Sequence, residues 1–165
     1  MGELARTLVS LRGPSSVHGI IPQALMKLEQ QGDSTDLPDP NMFGRTTVVK
    51  DMHSRKKLMA EEVLAGGAGS GFVALTGGYG TLEELMEMTT WNQLGIHDKA
   101  IVLFNVDGYW DGLLAWVRNA VDAGFIAEAN RSILVEAKDA DSVVKALSEY
   151  VNSEGKMKLT WDAEG

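Results

Sequence analysis

Short apolar runs alternate with longer amphipathic segments along this chain of 165 residues. Strands that are apolar throughout are typical of parallel sheets covered on both faces, and successive parallel strands need a crossover between them. We predict strands over 46–49, 72–75, 101–104 and 133–135, and helices over 2–11, 22–31, 51–64, 82–94, 109–123 and 140–151. The alternation predicts an α/β fold with a doubly wound, mostly parallel sheet and helices on both faces.

Composition excludes several classes of protein. The formal net charge is −8, which does not favour nucleic acid as a partner, because nucleic-acid binding rests on clustered cations. The chain has no cysteine, so it has neither disulfides nor a thiolate metal site. It shows no run of about 18 apolar residues and no signal-peptide pattern. We therefore expect a soluble cytoplasmic protein with no membrane partner.

A glycine-rich segment follows the predicted strand 72–75 and leads into a helix. It reads Thr76-Gly77-Gly78-Tyr79-Gly80-Thr81. Glycine lets backbone N–H groups approach an anion closely, and a helix N-terminus supplies free N–H donors. The segment is therefore built like a phosphate-binding loop, although it lacks the Lys-Ser/Thr of a Walker motif.

The same segment has a purely structural interpretation. Thr81 would be the N-cap of the following helix, and Glu84 would close a capping box. That interpretation accounts for the threonine and the glutamate better than for three glycines. A second glycine cluster, 66–71, precedes its strand, so we interpret it as a helix C-cap and connection.

A basic helix start follows the predicted strand 46–49. Met52, Arg55 and Lys56 are spaced i, i+3 and i+4, which puts them on one helical face. Such a face is either a solvated charge run or the source of an arginine that pairs with a phosphate or a developing charge. His18, His53 and His97 are isolated in sequence, so we expect no metal site.

Two motifs in this chain resemble those of a known family. The family signature PGGxGTxxE is similar to TGGYGTLEE, and its companion Met-His-x-Arg-Lys is similar to DMHSRK. The segments SVHGIIPQALMKLEQ and TTWNQLGIHDKAIVLFNVDGYWDGLLAWV are also similar. The chain thus resembles the LONELY GUY family of cytokinin riboside 5′-monophosphate phosphoribohydrolases, sometimes labelled lysine decarboxylases. The resemblance covers nearly the whole chain. It implies a Rossmann-like nucleotide-binding domain over 1–151 and a polar tail over 152–165.

The resemblance also implies an activity and a set of residues. The reaction is hydrolysis of the N-glycosidic bond of an N6-modified AMP to free base and ribose 5-phosphate, without metal or other cofactor. Arg55 and Glu84 match the family's catalytic pair, with Glu83 as the adjacent alternative. The remaining matches are substrate-binding positions: Met52, Lys56, Thr76, Gly77, Gly78, Tyr79, Gly80 and Thr81. A homodimer or higher homo-oligomer is expected.

The chain departs from the family pattern at three places. Thr76 stands where proline is usual, and Ser70-Gly71 stand where the family often has an acidic residue. The chain also begins near the end of the family's first β-α-β unit, so we expect an N-terminally shortened fold. This departure motivates a second hypothesis, a non-catalytic nucleotide-binding or dimerisation module. A third hypothesis is a glycosidase acting on plain AMP.

Overall fold

The computed structural model describes residues 2–26, 37–157 and 159. It contains two compact units, Met1–Glu62 and Val63–Gly165. Among the described residues, one sheet has two strands, the other has three, and every pairing is parallel. The prediction of a parallel α/β fold is confirmed. No helix within the described ranges combines the length and apolar character needed to cross a membrane.

The first unit pairs two short strands. Its elements are α1 (Gly2–Arg12), β1 (His18–Pro22), a 3-10 turn (Gln23–Leu25), α2 (Pro40–Phe43), β2 (Arg45–Val49) and the start of α3 (Met52–Leu64). β1 and β2 run parallel with Pro22 opposite Val49, so the carboxyl ends of both strands lie at one edge. Helix α3 begins three residues beyond that edge, because Asp51 caps it by accepting the N–H of Ser54 over 2.7 Å.

Two predictions for this unit need correction. The helix predicted over 22–31 is wrong at its start, because Pro22 is the last residue of β1 and a 3-10 turn follows it. The restricted φ of proline, −67° here, suits the end of a strand as well as the start of a helix, and ψ of 139° puts Pro22 in the extended conformation. Residues 27–31 lie outside the described residues. The loop predicted over 32–45 contains α2 and the first residue of β2, and residues 32–36 also lie outside the description.

The second unit alternates strands and helices as predicted. Its elements are β3 (Gly71–Ala74), α4 (Tyr79–Gln93), β4 (Ala100–Phe104), α5 (Asp111–Asp122), β5 (Leu134–Ala137) and α6 (Ala140–Ser148). The strand order is β3-β4-β5, with β4 in the centre. Phe72 lies opposite Ile101, and Ile101 lies opposite Leu134.

The central strand β4 is buried on both faces. Ile101, Val102 and Leu103 have no exposed surface. Val102 packs with Val143 and Leu147 of α6, and because strand side chains alternate, its two neighbours point to the opposite face. Helices on both faces of this strand therefore keep it dry, which is the reason for its continuously apolar sequence.

The described part of the tail packs on this unit. Met157 donates its N–H to the carbonyl of Gln93 over 2.9 Å, and the hydroxyl of Ser153 donates to Asn130 Oδ1 over 2.7 Å. Lys156 Nζ donates to the carbonyl of His97 over 2.5 Å. These contacts tie residues 153–157 to the loops beside α4 and β5.

Candidate active site

Three loops of the second unit meet at one edge of the sheet. They follow β3, β4 and β5 and comprise residues 75–78, 105–110 and 138–139. Because all three strands are parallel, their carboxyl ends share this edge. Ligands of open α/β sheets bind in the crevice beyond the carboxyl ends of the strands. The glycine-rich segment is the first of these loops.

The glycine-rich loop turns directly into α4. Gly78 is the N-cap, at φ −97° and ψ −150°, and no side chain caps this helix end. The alternative interpretation with Thr81 as the N-cap is therefore wrong, and the helix predicted over 82–94 begins three residues earlier, at Tyr79. Gly80 and Thr81 belong to its first turn, where N–H groups have no partner within the helix. Backbone donors and the positive end of the helix dipole favour an anion here.

The three glycines of the loop have different surroundings. A Cβ at Gly77 would lie 2.1 Å from Thr81 Oγ1, so this position requires glycine. A Cβ at Gly78 or Gly80 would meet no atom within 4 Å. Tyr79 is 94% exposed between them. The loop is thus closely packed on one side and open on the other, where a ligand has access to the backbone.

The two glutamates follow this loop on α4. Glu84 is half-buried, and it lies four residues after Gly80 and three after Thr81, on the same helical face. Glu83 is exposed and lies four residues after Tyr79. Glu83 also lies three residues after Gly80, so spacing places both carboxylates next to the glycine-rich turn, and burial is what distinguishes Glu84.

The basic group lies on α3 in the first unit. Met52 is exposed, whereas Arg55 and Lys56 are half-buried on the same helical face. Arg55 donates its backbone N–H to the carbonyl of Asp51 over 3.1 Å. Hydrogen bonds from Ser54, the backbone N–H first among them, lower the pKa of Asp51, so this cap stays ionised at neutral pH. The basic face and the glycine-rich loop belong to different units.

Sequence reasoning missed an asparagine at the end of β4. Asn105 is 2% exposed, and its amide donates to Asp111 Oδ1 over 2.8 Å and to Glu136 Oε1 over 2.7 Å. Its Oδ1 accepts the N–H of Trp110 over 2.7 Å. One side chain therefore fixes the loop after β4 and joins it to β5. The polar residue directly after a four-residue apolar run was the signal available in the sequence.

The loop after β4 also contacts the glycine-rich loop. Tyr109 donates its hydroxyl to the carbonyl of Gly77 over 2.6 Å. Beside it lies a polar cleft of about 480 Å³, lined by Asn105, Val106, Asp107, Gly108, Asp111 and Lys138. Asp107 and Gly108 form a turn in this loop, with φ values of 52° and 74°.

His18 is isolated in sequence but not in space. Its Nδ1 lies 2.6 Å from Glu62 Oε1, and its Nε2 lies 2.8 Å from Thr47 Oγ1. Arg45 Nη2 donates to the same glutamate oxygen over 3.2 Å. This cluster links β1, β2 and α3. Within the described ranges, no group of three or more histidine, aspartate or glutamate side chains is arranged to hold a metal ion.

Fold and site together define a parallel α/β protein with a glycine-rich strand-to-helix loop at the carboxyl edge of its sheet. The family described as possible lysine decarboxylase matches residues 1–147, and the chain belongs to this family. The resemblance to the LONELY GUY family is confirmed by relatives that carry the LOG name.

Similar proteins carry names from cytokinin metabolism. The chain is 52% identical over 163 residues to the bifunctional cytokinin biosynthesis protein of Fusarium pseudograminearum (strain CS3096). It is 45% identical over 154 residues to the cytokinin riboside 5′-monophosphate phosphoribohydrolase LOG3 of Arabidopsis thaliana. LOG1 of the same plant is 44% identical over 154 residues. The matches cover 98%, 92% and 92% of this chain, but only 34%, 65% and 66% of those proteins.

Proposed function

We propose that the protein hydrolyses the N-glycosidic bond of cytokinin riboside 5′-monophosphates. The observation that carries the proposal is the glycine-rich loop, whose open side meets the uncapped start of α4. The names of LOG3 and LOG1, at 45% and 44% identity, support the same reaction, and the name of the Fusarium relative, at 52% identity, supports a role in cytokinin biosynthesis. Water adds to C1′ of the ribose, the bond from C1′ to the purine nitrogen breaks, and the base leaves with a proton. The products are free cytokinin and ribose 5-phosphate.

In this proposal the glycine-rich loop binds the 5′-phosphate. The backbone of Gly77, Gly78, Gly80 and Thr81 supplies the donors, and Thr76 and Tyr79 flank the bound group. Support comes from the exposed first turn of α4 and from the room around Gly78 and Gly80. Binding the phosphate away from the reacting bond orients the ribose, which lowers the entropic part of the barrier.

Glu84 acts on the ribose in this proposal. Cleavage passes through a state with positive charge at C1′, and a carboxylate stabilises that charge or positions the attacking water. The half-buried position of Glu84, on the face that continues from Gly80, supports this role. Glu83 is the alternative carboxylate, and its greater exposure makes it the weaker candidate.

Arg55, on the basic face of α3, is the second proposed catalytic residue. A guanidinium there stabilises the departing purine or orients the carboxylate of Glu84. Met52 and Lys56, on the same helical face, contact the substrate. Neither metal nor cofactor takes part. The proposal also takes residues 1–151 as one nucleotide-binding domain, and the active protein as a homodimer or higher homo-oligomer in the cytoplasm.

A turnover assay tests the proposal. The chain is incubated with N6-isopentenyladenosine 5′-monophosphate, plain AMP or the unphosphorylated nucleoside, and the released base is measured by chromatography. We expect isopentenyladenine from the first compound and little base from the nucleoside, which lacks the phosphate. Folded protein that binds the nucleotide without releasing base would instead establish the non-catalytic module. Faster cleavage of plain AMP would establish the third hypothesis.

A further inference from the structure

Tyr109 joins the two loops at the carboxyl edge of the second unit. Its hydroxyl donates to the carbonyl oxygen of Gly77 over 2.6 Å, at the short end of the normal range. The contact connects the loop after β4 to the glycine-rich loop after β3. Glycine leaves the backbone free to rotate, so a side chain that holds one carbonyl removes much of that freedom.

We infer that Tyr109 is a positioning residue, which holds the glycine-rich loop in its phosphate-binding conformation. In a trans peptide, the carbonyl of Gly77 and the N–H of Gly78 point in opposite directions. Holding the carbonyl toward Tyr109 therefore aims the N–H of Gly78 away from the tyrosine. A rotated peptide would present an acceptor to the phosphate in place of a donor. The inference rests on the proposed function, because it assigns this loop to the 5′-phosphate.

The tyrosine is itself held in place. The backbone N–H of its neighbour Trp110 is fixed by Asn105 Oδ1 over 2.7 Å, and the Trp110 side chain is 5% exposed. The rings of Tyr109 and Trp110 meet edge to face, with 5.0 Å between their centroids. Asp107, at φ 52°, is in a conformation that non-glycine residues rarely adopt. A loop fixed at these points presents the hydroxyl without further ordering.

The test compares two substitutions that each remove one tyrosine hydroxyl. Tyr109→Phe keeps the ring but removes the hydrogen bond to Gly77. Tyr150→Phe is the matched control, because its hydroxyl also has a partner, the Asn92 amide at 3.3 Å. Affinity for ribose 5-phosphate is measured by calorimetry, since that ligand needs no turnover. We expect about a fivefold to tenfold loss for Tyr109→Phe, the usual effect of one hydrogen bond, and no change for Tyr150→Phe.

Two further measurements separate positioning from a general structural role. Affinity for the unphosphorylated nucleoside should be the same in Tyr109→Phe and the unmodified chain, because the loop contacts the phosphate alone. In the unmodified chain, the amide resonance of Gly78 should shift when inorganic phosphate is added. This second measurement does not depend on whether the variant folds.

The outcomes distinguish this inference from the proposed function. Base release by the unmodified chain is assayed in parallel. If the chain binds ribose 5-phosphate but releases no base, the proposed reaction is rejected. The role of Tyr109 would then still be supported by the lower affinity of Tyr109→Phe for ribose 5-phosphate. Equal affinity of Tyr109→Phe and the unmodified chain for ribose 5-phosphate would overturn the inference. Equal losses for nucleoside and phosphate ligand, or an unshifted Gly78 resonance, would also overturn it.

Discussion

The side-chain amide of Asn105 donates to Glu136 Oε1 over 2.7 Å, at the point where β4 ends beside β5. Its second hydrogen is directed at Asp111 Oδ1, and its carbonyl oxygen accepts from the backbone of Trp110. The site therefore needs two donors and one acceptor on one short side chain, which an amide supplies and a carboxylate does not. This requirement makes the residue a sensitive test of how the loop after β4 is held.

Asn105→Asp should destabilise the second unit strongly. The substitution removes both donors and puts a buried carboxylate against Asp111 and Glu136. We expect the free energy of unfolding to fall by about 2–4 kcal/mol, the usual range when a buried polar network is broken. Urea denaturation at pH 7.5 measures the change. Asn41→Asp adds the same charge at an exposed position and should change the free energy by less than about 0.5 kcal/mol; equal effects of the two substitutions would contradict this account.

Gly77→Ala should damage the glycine-rich loop. The added methyl group would lie 2.1 Å from Thr81 Oγ1, so the backbone or the threonine must move. We expect a loss of about 1–3 kcal/mol in unfolding free energy, typical of overpacking, and weaker binding of ribose 5-phosphate. Gly80→Ala is the control for stability, because its methyl group enters open space within a helix, where alanine is favoured over glycine. A Gly77→Ala chain with an unchanged free energy of unfolding would contradict the close packing described at this glycine.

His97 should make stability fall as the pH is lowered below about 6.5. It is buried, its Nε2 donates to the carbonyl of Met88 over 2.9 Å, and its Nδ1 accepts the N–H of Lys99 over 3.1 Å. Burial lowers the pKa of His97 below 6.5, and the positive charges of Lys156 and Lys99 lower it further. The hydrogen bond to the Met88 carbonyl and the negative charge of Asp98 raise this pKa, but by less. The unfolded chain therefore takes up a proton first as pH falls. The contribution of His97 to stability is complete above pH 6.5 and is lost progressively below that pH.

Denaturation at several pH values checks this dependence. The slope of the free energy against pH should approach at most about 1.4 kcal/mol per pH unit for one proton. His97→Gln should remove the histidine's share of the slope, whereas His53→Gln, at an exposed position, should keep it. The pKa values of Asp51 and Asp139 lie below 3.8, so their contributions to stability are lost only in more acidic solution, where these carboxylates are protonated. An unchanged slope in His97→Gln would refute the assignment.

The sequence located the strands of the second unit because burial on both faces demands continuous apolar runs. It located the glycine-rich loop because three glycines stand between a buried strand and a helix, and at one of them, Gly77, packing leaves no room for a Cβ. It misplaced the start of α4, since a glycine N-cap and a Tyr-Gly first turn carry no propensity signal for a helix. It missed β1, because Ile20 and Ile21 are the only two consecutive apolar residues between His18, where the strand begins, and Pro22. In both cases the local sequence signal is short and weak, and tertiary packing determines the structure.

Long-range contacts were beyond reach for a different reason. The bond between Tyr109 and Gly77 spans 32 positions, and the bond between Asn105 and Glu136 spans 31. Neither follows from helical or strand periodicity, because both depend on which loops meet at the sheet edge.

Base release by Glu84→Gln tests the central claim most directly. The substitution keeps the size of the side chain but removes the charge that would stabilise the ribose cation. We expect kcat for N6-isopentenyladenosine 5′-monophosphate to fall by at least about 100-fold, in the range found for acid–base and electrostatic groups. Unfolding free energy should change little, and Glu83→Gln should cost less than tenfold. Arg55→Ala should also abolish most turnover.

The matched control is Glu61→Gln on α3, which removes an exposed carboxylate that lies 3.8 Å from Lys57 Nζ. Its turnover should equal that of the unmodified chain. Loss of base release in Glu84→Gln, with folding retained and the control active, is the result that this account predicts. Base release that survives in Glu84→Gln at the rate of the unmodified chain would contradict it.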